Sequence, residues 1–272
     1  MNCSEKNIII LYTKFEDKLP DFWYNKLLNL LPVDQKERNQ QFVGWQDRYS
    51  HLFGRMLLKC GLEVYGYEEN CLTKVQYNKY DRPYLNDKLD FNISHSGNYV
   101  ICAMGLDLKL GIDIEKVQEI EFKDFKSVMT EEQWHEIKYS ESPLWFFYRY
   151  WTIKESVIKA DSRGLSIPLQ DIQVKNNKVE YDNSIWYLFQ LNIDSEYCAC
   201  LATNATKVNI SFKFIDFYNE SLRCYNEKKF TFAEILSTNK TSMEERRQGL
   251  GVREFKSINY PITNDLYTKN GE

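Results

Sequence analysis

Histidine is scarce in this 272-residue chain, with only His51, His95 and His135, so metal chemistry built on imidazole has little to work with. A hard cation held by oxygen ligands is the better expectation. No apolar run approaches the roughly 20 residues that span a bilayer, and the N-terminus lacks the basic and apolar regions of a signal peptide. The expectation is a cytoplasmic protein with no membrane partner. Basic excess is also missing: the formal net charge is −4 and the pI about 5.6, which argues against a generic nucleic-acid binder. The cysteines are seven, an odd number without a C-x-x-C pair, and several lie in apolar contexts. They read as small core residues in a reducing compartment, not as a disulfide framework or zinc site.

What is present begins with enough apolar content, 43%, to bury a substantial core in one large or two modest domains. Residues 7–12 read as a strand, 21–31 and 34–61 as helical stretches, and 91–94 with 99–104 as a strand pair joined at Ser96-Gly97-Asn98. Thr130-Glu131-Glu132-Gln133 has capping-box spacing and predicts a helix through Lys138. Further strands are expected near 172–175, 185–191, 197–202 and 208–217.

Two stretches carry chemistry. In Gly111-Ile112-Asp113-Ile114-Glu115 the acidic and aliphatic residues alternate as on a half-buried strand, so Asp113 and Glu115 share one face while Ile112 and Ile114 face a core. The two carboxylates then stand roughly 6–7 Å apart, and their repulsion is on the order of 2–3 kcal/mol at an effective dielectric of about 20. A cation would reverse that cost. An alternating D-x-E also occurs on ordinary solvated strand faces. Trp151-Thr152-Ile153-Lys154-Glu155-Ser156-Val157-Ile158-Lys159 spaces Trp151, Lys154, Glu155 and Lys159 at i, i+3, i+4 and i+8 along one side of a helix. Glu155 is a third candidate oxygen ligand, and the lysines are candidates to hold an anionic substrate that completes the shell, as Mg²⁺ sites commonly do. Glu–Lys at i, i+4 is equally an ordinary helix pair.

The two stretches together resemble the 4′-phosphopantetheinyl transferases of the longer, surfactin-synthetase-activator type, whose pattern is G-[IV]-D-[IV]-E followed by W-[ST]-x-K-E-[AS]-x-x-K. Phe91-Asn92-Ile93-Ser94-His95-Ser96-Gly97 and Arg163-Gly164-Leu165-Ser166-Ile167-Pro168-Leu169 are similar to two further family segments, and the likeness runs over roughly residues 5–215. The resemblance implies an α+β fold of two pseudo-duplicated α/β lobes with coenzyme A in the cleft between them. The lobes are expected at 1–108 and 109–217, with 218–272 an extension that is an appendage or a docking arm. It further implies Mg²⁺-dependent transfer (Mn²⁺ as substitute) of 4′-phosphopantetheine from coenzyme A to a serine of an apo acyl, peptidyl or aryl carrier protein, the holo-[acyl-carrier-protein] synthase type of reaction. A coenzyme A binder without turnover and a phosphohydrolase using water remain the alternatives.

By the same resemblance Asp113, Glu115 and Glu155 hold the metal, Glu155 is general base, and Lys159 protonates the leaving group. Arg82, Ser94, His95, Lys154 and Lys159 contact coenzyme A, with Lys36, Arg38 and Arg55 as 3′-phosphate candidates. Two departures stand out: Asp81 and Ser162 occupy positions where the family has glycine. A shift of one hundred residues overlays 49–61 on 149–161 and puts Arg55 where Glu155 stands, while a shift of 101 matches Arg48-Tyr49 to Arg149-Tyr150. Either register fits two related lobes. Finally, Ile120, Phe122, Phe125 and Val128 are too apolar for a wholly solvated connection, and Phe122 and Phe125 are expected to receive the carrier helix of a monomeric enzyme.

Overall fold

A computed structural model describes residues 5–85 and 88–218. The chain runs β1 (Lys6–Lys14), α1 (Asp21–Leu28), α2 (Val33–Gln41), α3 (Trp45–Val64), β2 (Gln76–Tyr77), β3 (Pro83–Tyr84), β4 (Leu89–Ser96), β5 (Tyr99–Leu106), β6 (Leu110–Lys116), α4 (Glu131–Tyr139), α5 (Pro143–Asp161), β7 (Val174–Lys175), β8 (Lys178–Tyr181), β9 (Ser184–Gln190), β10 (Tyr197–Thr203) and β11 (Val208–Phe214). The predicted 34–61 stretch is two helices. Phe42 is extended (ψ 132°) and Gly44 serves as N-cap, so the chain turns at Phe42-Val43-Gly44 with Val43 left in solvent. The capping box at Thr130 forms as the spacing requires: its side chain accepts from Gln133 N, and Gln133 Oε1 accepts from Thr130 N.

Two sheets, ordered β11-β1-β5-β4 and β6-β10-β9-β8-β7, make the framework. Alternation along the strands sorts the core. Ile9, Leu11, Phe91, Val100, Cys102 and Met104 face α1 and α3, while Ile8, Ile10, Ile101, Ala103, Ile112, Ile114, Ala199 and Leu201 form a second core between the sheets. The far face of the second sheet is covered by α5 through Val157, Ile158 and Ala160. The layers are therefore helix, sheet, sheet, helix, an α+β architecture with a helix-covered sheet in each half.

The second half does not close on itself as a unit ending at 217. Its last strand, β11, crosses over and pairs in parallel with β1 over seven residues, from Lys6↔Val208 to Tyr12↔Phe214. The Trp23 indole then donates to Phe217 O. The proposed extension lies outside the described residues apart from Tyr218. The five described cysteines, Cys60, Cys71, Cys102, Cys198 and Cys200, are buried and none of them is in a disulfide. No helix among the described residues is long and apolar enough to cross a membrane.

Candidate active site

β4 and β6 are the facing edges of the two sheets, and side chains instead of backbone bonds stitch them. Asp90 Oδ2 accepts from Leu110 N (2.9 Å), Asn92 Oδ1 from Ile112 N (2.9 Å) and Ser96 Oγ from Lys116 N (3.0 Å). Period-2 alternation places Asp90, Asn92, Ser94 and Ser96 on this seam and turns His95 the other way, toward α3.

Helix α5 lies directly on β6 because Gly111 has no side chain: a Cβ there would overlap Ser156 O and Ala160 N. That approach brings Lys159 Nζ to 2.5 Å from Asp113 Oδ1, with Ser94 Oγ donating to the same oxygen at 2.8 Å and accepting from Lys159 at 3.1 Å. Asp113 is 2% exposed, and its second oxygen, Oδ2, is buried with no hydrogen-bond partner. Next on the strand, Glu115 accepts from Ser96 Oγ (2.7 Å) and from the Trp151 indole.

The charges of these groups act on one another. Burial and then the Asp113 carboxylate push the Glu115 pKa up, against the Ser96 hydrogen bond. Burial raises Glu155 as well, with Lys159 opposing and the Asp113 and Glu115 carboxylates adding to the rise. Burial alone would lower the Lys159 pKa, but Asp113, Glu155 and Glu115 outweigh it and hold the ammonium above its ordinary range. Asp113, Lys159 and Ser94 are thus in direct contact, with Glu115 and Glu155 near enough to feel their charges.

Whether that place suits a metal turns on its donors. The set is all oxygen, the repelling carboxylates lack a full complement of cations, and Asp113 Oδ2 is an orphan, so the residues suit a hard cation. The side chains are not closed around a point, however: among the described residues no three His, Cys, Asp or Glu side chains stand together as a ready metal site.

Other expected site residues lie elsewhere. Lys154 does not face the cleft. It is fully buried, its Nζ donating to Leu169 O (2.7 Å) and Ile172 O (2.9 Å), and burial lowers its pKa to about 8. The reason is angular: at 100° per residue Lys154 falls about 100° from Glu155, and the cleft face is Trp151, Glu155, Lys159, at i, i+4 and i+8. Arg82 is likewise turned inward, paired with Asp90 (3.0 Å) and donating to Leu110 O (2.9 Å). Its charge is spent holding the base of the seam. Lys36 donates to Asn29 Oδ1 at 3.3 Å on the outer side of α2 and is not drawn into the cleft.

Arg38, Arg55 and His95 do converge, around a residue the motifs did not mark. His51 Nδ1 is 3.1 Å from the Asn39 amide, and its Nε2 is buried without a partner. Burial, then Arg55, Arg38 and His95, press its pKa down to about 4. Its place one helical turn before Arg55 was the available signal. His95 is exposed, yet partial desolvation and then the Lys159 ammonium lower its pKa, with Asp47 and Asp113 acting in the opposite direction. Arg55 also donates to Tyr77 OH (3.0 Å).

Both departures from glycine keep the backbone that glycine favours: Asp81 has φ 59° and Ser162 φ 77°. They are also joined, since Asn78, which accepts from Tyr80 N and Arg82 N in the Asp81 turn, donates through Nδ2 to Ser162 O (3.1 Å). Phe122 and Phe125 lie on a 3₁₀ turn, half-buried, with Phe122 against Trp134 and Phe147 and Phe125 against Phe147 and Trp151.

Two family models match consecutive parts of the chain. Residues 21–106 match the 4′-phosphopantetheinyl transferase N-terminal family, and 109–219 match the 4′-phosphopantetheinyl transferase superfamily. Over 177 residues the chain is 30% identical to the 4′-phosphopantetheinyl transferase gsp of Aneurinibacillus migulanus, covering 64% of this chain and 73% of that protein. It is 29% identical over 154 residues to 4′-phosphopantetheinyl transferase Sfp of Bacillus subtilis (strain 168), covering 55% and 68%. It is also 29% identical over 202 residues to the L-aminoadipate-semialdehyde dehydrogenase-phosphopantetheinyl transferase of Rattus norvegicus, covering 65% and 63%. With these matches lying across both lobes and over the cluster at Asp113, the chain belongs to the 4′-phosphopantetheinyl transferase superfamily.

Proposed function

We propose that the cleft formed by β4, β6 and α5 transfers the 4′-phosphopantetheine arm of coenzyme A to a serine hydroxyl of an apo acyl, peptidyl or aryl carrier protein. The serine oxygen forms a bond to the pantetheine-bearing phosphorus, the pyrophosphate P–O bond breaks, and 3′,5′-ADP leaves. The observation that carries this reading is the buried Asp113–Lys159–Ser94 contact with its orphaned Asp113 Oδ2, supplied by elements of both lobes.

Each residue has a task set by its place. Asp113, Glu115 and Glu155 would hold Mg²⁺ or Mn²⁺, which supplies charge neutralisation for the pyrophosphate when bound. Glu155, with its raised pKa, takes the serine proton. Lys159, an ammonium held on Asp113, steadies or protonates the leaving oxygen. Ser94 and His95 bind phosphate oxygens, and Arg38, Arg55 and His51 form the basic wall for the 3′-phosphate end. The exposed edges of Phe122 and Phe125 receive the carrier. One chain provides both walls, so the functional unit is a monomer, acting in the cytoplasm where coenzyme A and carrier proteins meet.

Mass spectrometry with coenzyme A, Mg²⁺ and an apo carrier tests the assignment. A carrier heavier by one phosphopantetheine, lost in Asp113→Ala and Glu155→Ala and on adding EDTA, is the expected result. Release of 3′,5′-ADP with an unmodified carrier would make the protein a hydrolase, and no reaction would leave a binder.

A further inference from the structure

Glu115 stands on the edge strand β6, where a glutamate side chain needs a partner to stay aimed into the cleft. Asp113 is buried and held by Lys159 and Ser94. Glu115 has one more rotatable bond and is only half-buried, so an ordered orientation carries a larger entropic cost.

Ser96 meets that cost in a specific way. Its Oγ accepts the Lys116 backbone N–H at 3.0 Å, which fixes the hydroxyl oxygen against the very strand that carries Glu115. The hydroxyl proton is then free to donate, and it does so to Glu115 Oε2 at 2.7 Å, while the Trp151 indole also donates to the carboxylate. The arrangement repeats, one pleat further on, the pairing of Ser94 with Asp113 at 2.8 Å. Each strand carboxylate of one lobe therefore has its own serine from the other lobe.

We propose that Ser96 is a positioning residue, holding Glu115 in its metal-ligating orientation from the opposite lobe; this rests on the metal reading and deepens it. Outer-shell hydrogen bonds of this kind change metal affinity by about 10- to 100-fold when removed.

The test uses the full-length protein and Mn²⁺ as the probe, its binding followed by electron paramagnetic resonance without coenzyme A. Thr and Val are nearly isosteric, so S96T and S96V differ in the hydroxyl and little else. The expected result is wild-type-like Mn²⁺ affinity in S96T and a loss of roughly tenfold or more in S96V, with the KM for coenzyme A at saturating Mg²⁺ unchanged in both. Equal affinities in the two variants, whether high or low, would overturn the proposal and leave Ser96 as a stitch of the seam. If wild type and D113A bind Mn²⁺ alike, the metal reading itself falls. If D113A loses binding and S96V does not, only the role of Ser96 falls. Melting temperatures of both variants, measured alongside, identify any loss that comes from unfolding.

Discussion

His51 is half-buried among cations with its Nε2 shut away from solvent, and that makes its protonation a stability question. Its folded pKa, about 4, lies below the unfolded value of about 6.5, so between these limits the unfolded chain binds more protons than the folded one. Stability therefore falls as pH drops from 6.5 toward 4, by roughly 1–2 kcal/mol from this group once solvent screening of a partly exposed ring is counted. Denaturant titrations of wild type and His51→Gln across that range should show the variant losing less; parallel curves would refute it. Lys154 gives a second residue-level expectation. Lys154→Met leaves Leu169 O and Ile172 O without their donor and should cost about 1–3 kcal/mol while sparing the KM for coenzyme A. A raised KM with an unchanged melting temperature would return Lys154 to the substrate. Its inward turn was not legible because a helical spacing defines an arc, and only the position of the loop at 169–172 decides which end of that arc is core. Arg82 escaped for a similar reason, its partner Asp90 being identified by folding and not by sequence proximity.

At the scale of elements, the legible parts were those with a local physical signature. The period of two fixed which side of β6 is acidic and the capping box fixed the start of α4, whereas the seat of α5 on Gly111 emerged only from the fold. β8, with its polar Lys-Val-Glu-Tyr, has no such signature and was not anticipated. Gly111→Ala should force α5 off β6, costing at least about 1–3 kcal/mol and lowering kcat beyond the loss of stability, because Glu155 and Lys159 move away from Asp113. A variant with normal kcat would show that the close seat is unnecessary. Ser162, which ends α5 in the left-handed region at φ 77° and ψ 3°, carries a strain that glycine relieves. Ser162→Gly should raise stability by about 0.5–1 kcal/mol, read as a shift in the denaturation midpoint at constant slope.

On the scale of the whole molecule, two lobes were foreseeable from the repeated order of helix and strands, but the exchange between them was not. No residue in 208–214 announces that its strand will pair with 6–12 instead of with its own half. The lobes share a core as well as a strand, so fragments 1–107 and 108–272 should each lack the far-UV spectrum of their part of the whole, and a native-like spectrum from either alone would contradict this. The β1–β11 pairing has a mechanical side too. Its strands run parallel, with one entering the structure near residue 6 and the other leaving near residue 214 at the opposite end. Tension applied between residues 5 and 218 would load the seven-residue ladder along its length, so its hydrogen bonds resist together in shear and do not peel one at a time. The two parts of the catalytic cleft would then stay joined under pulling until this one pair of strands slides.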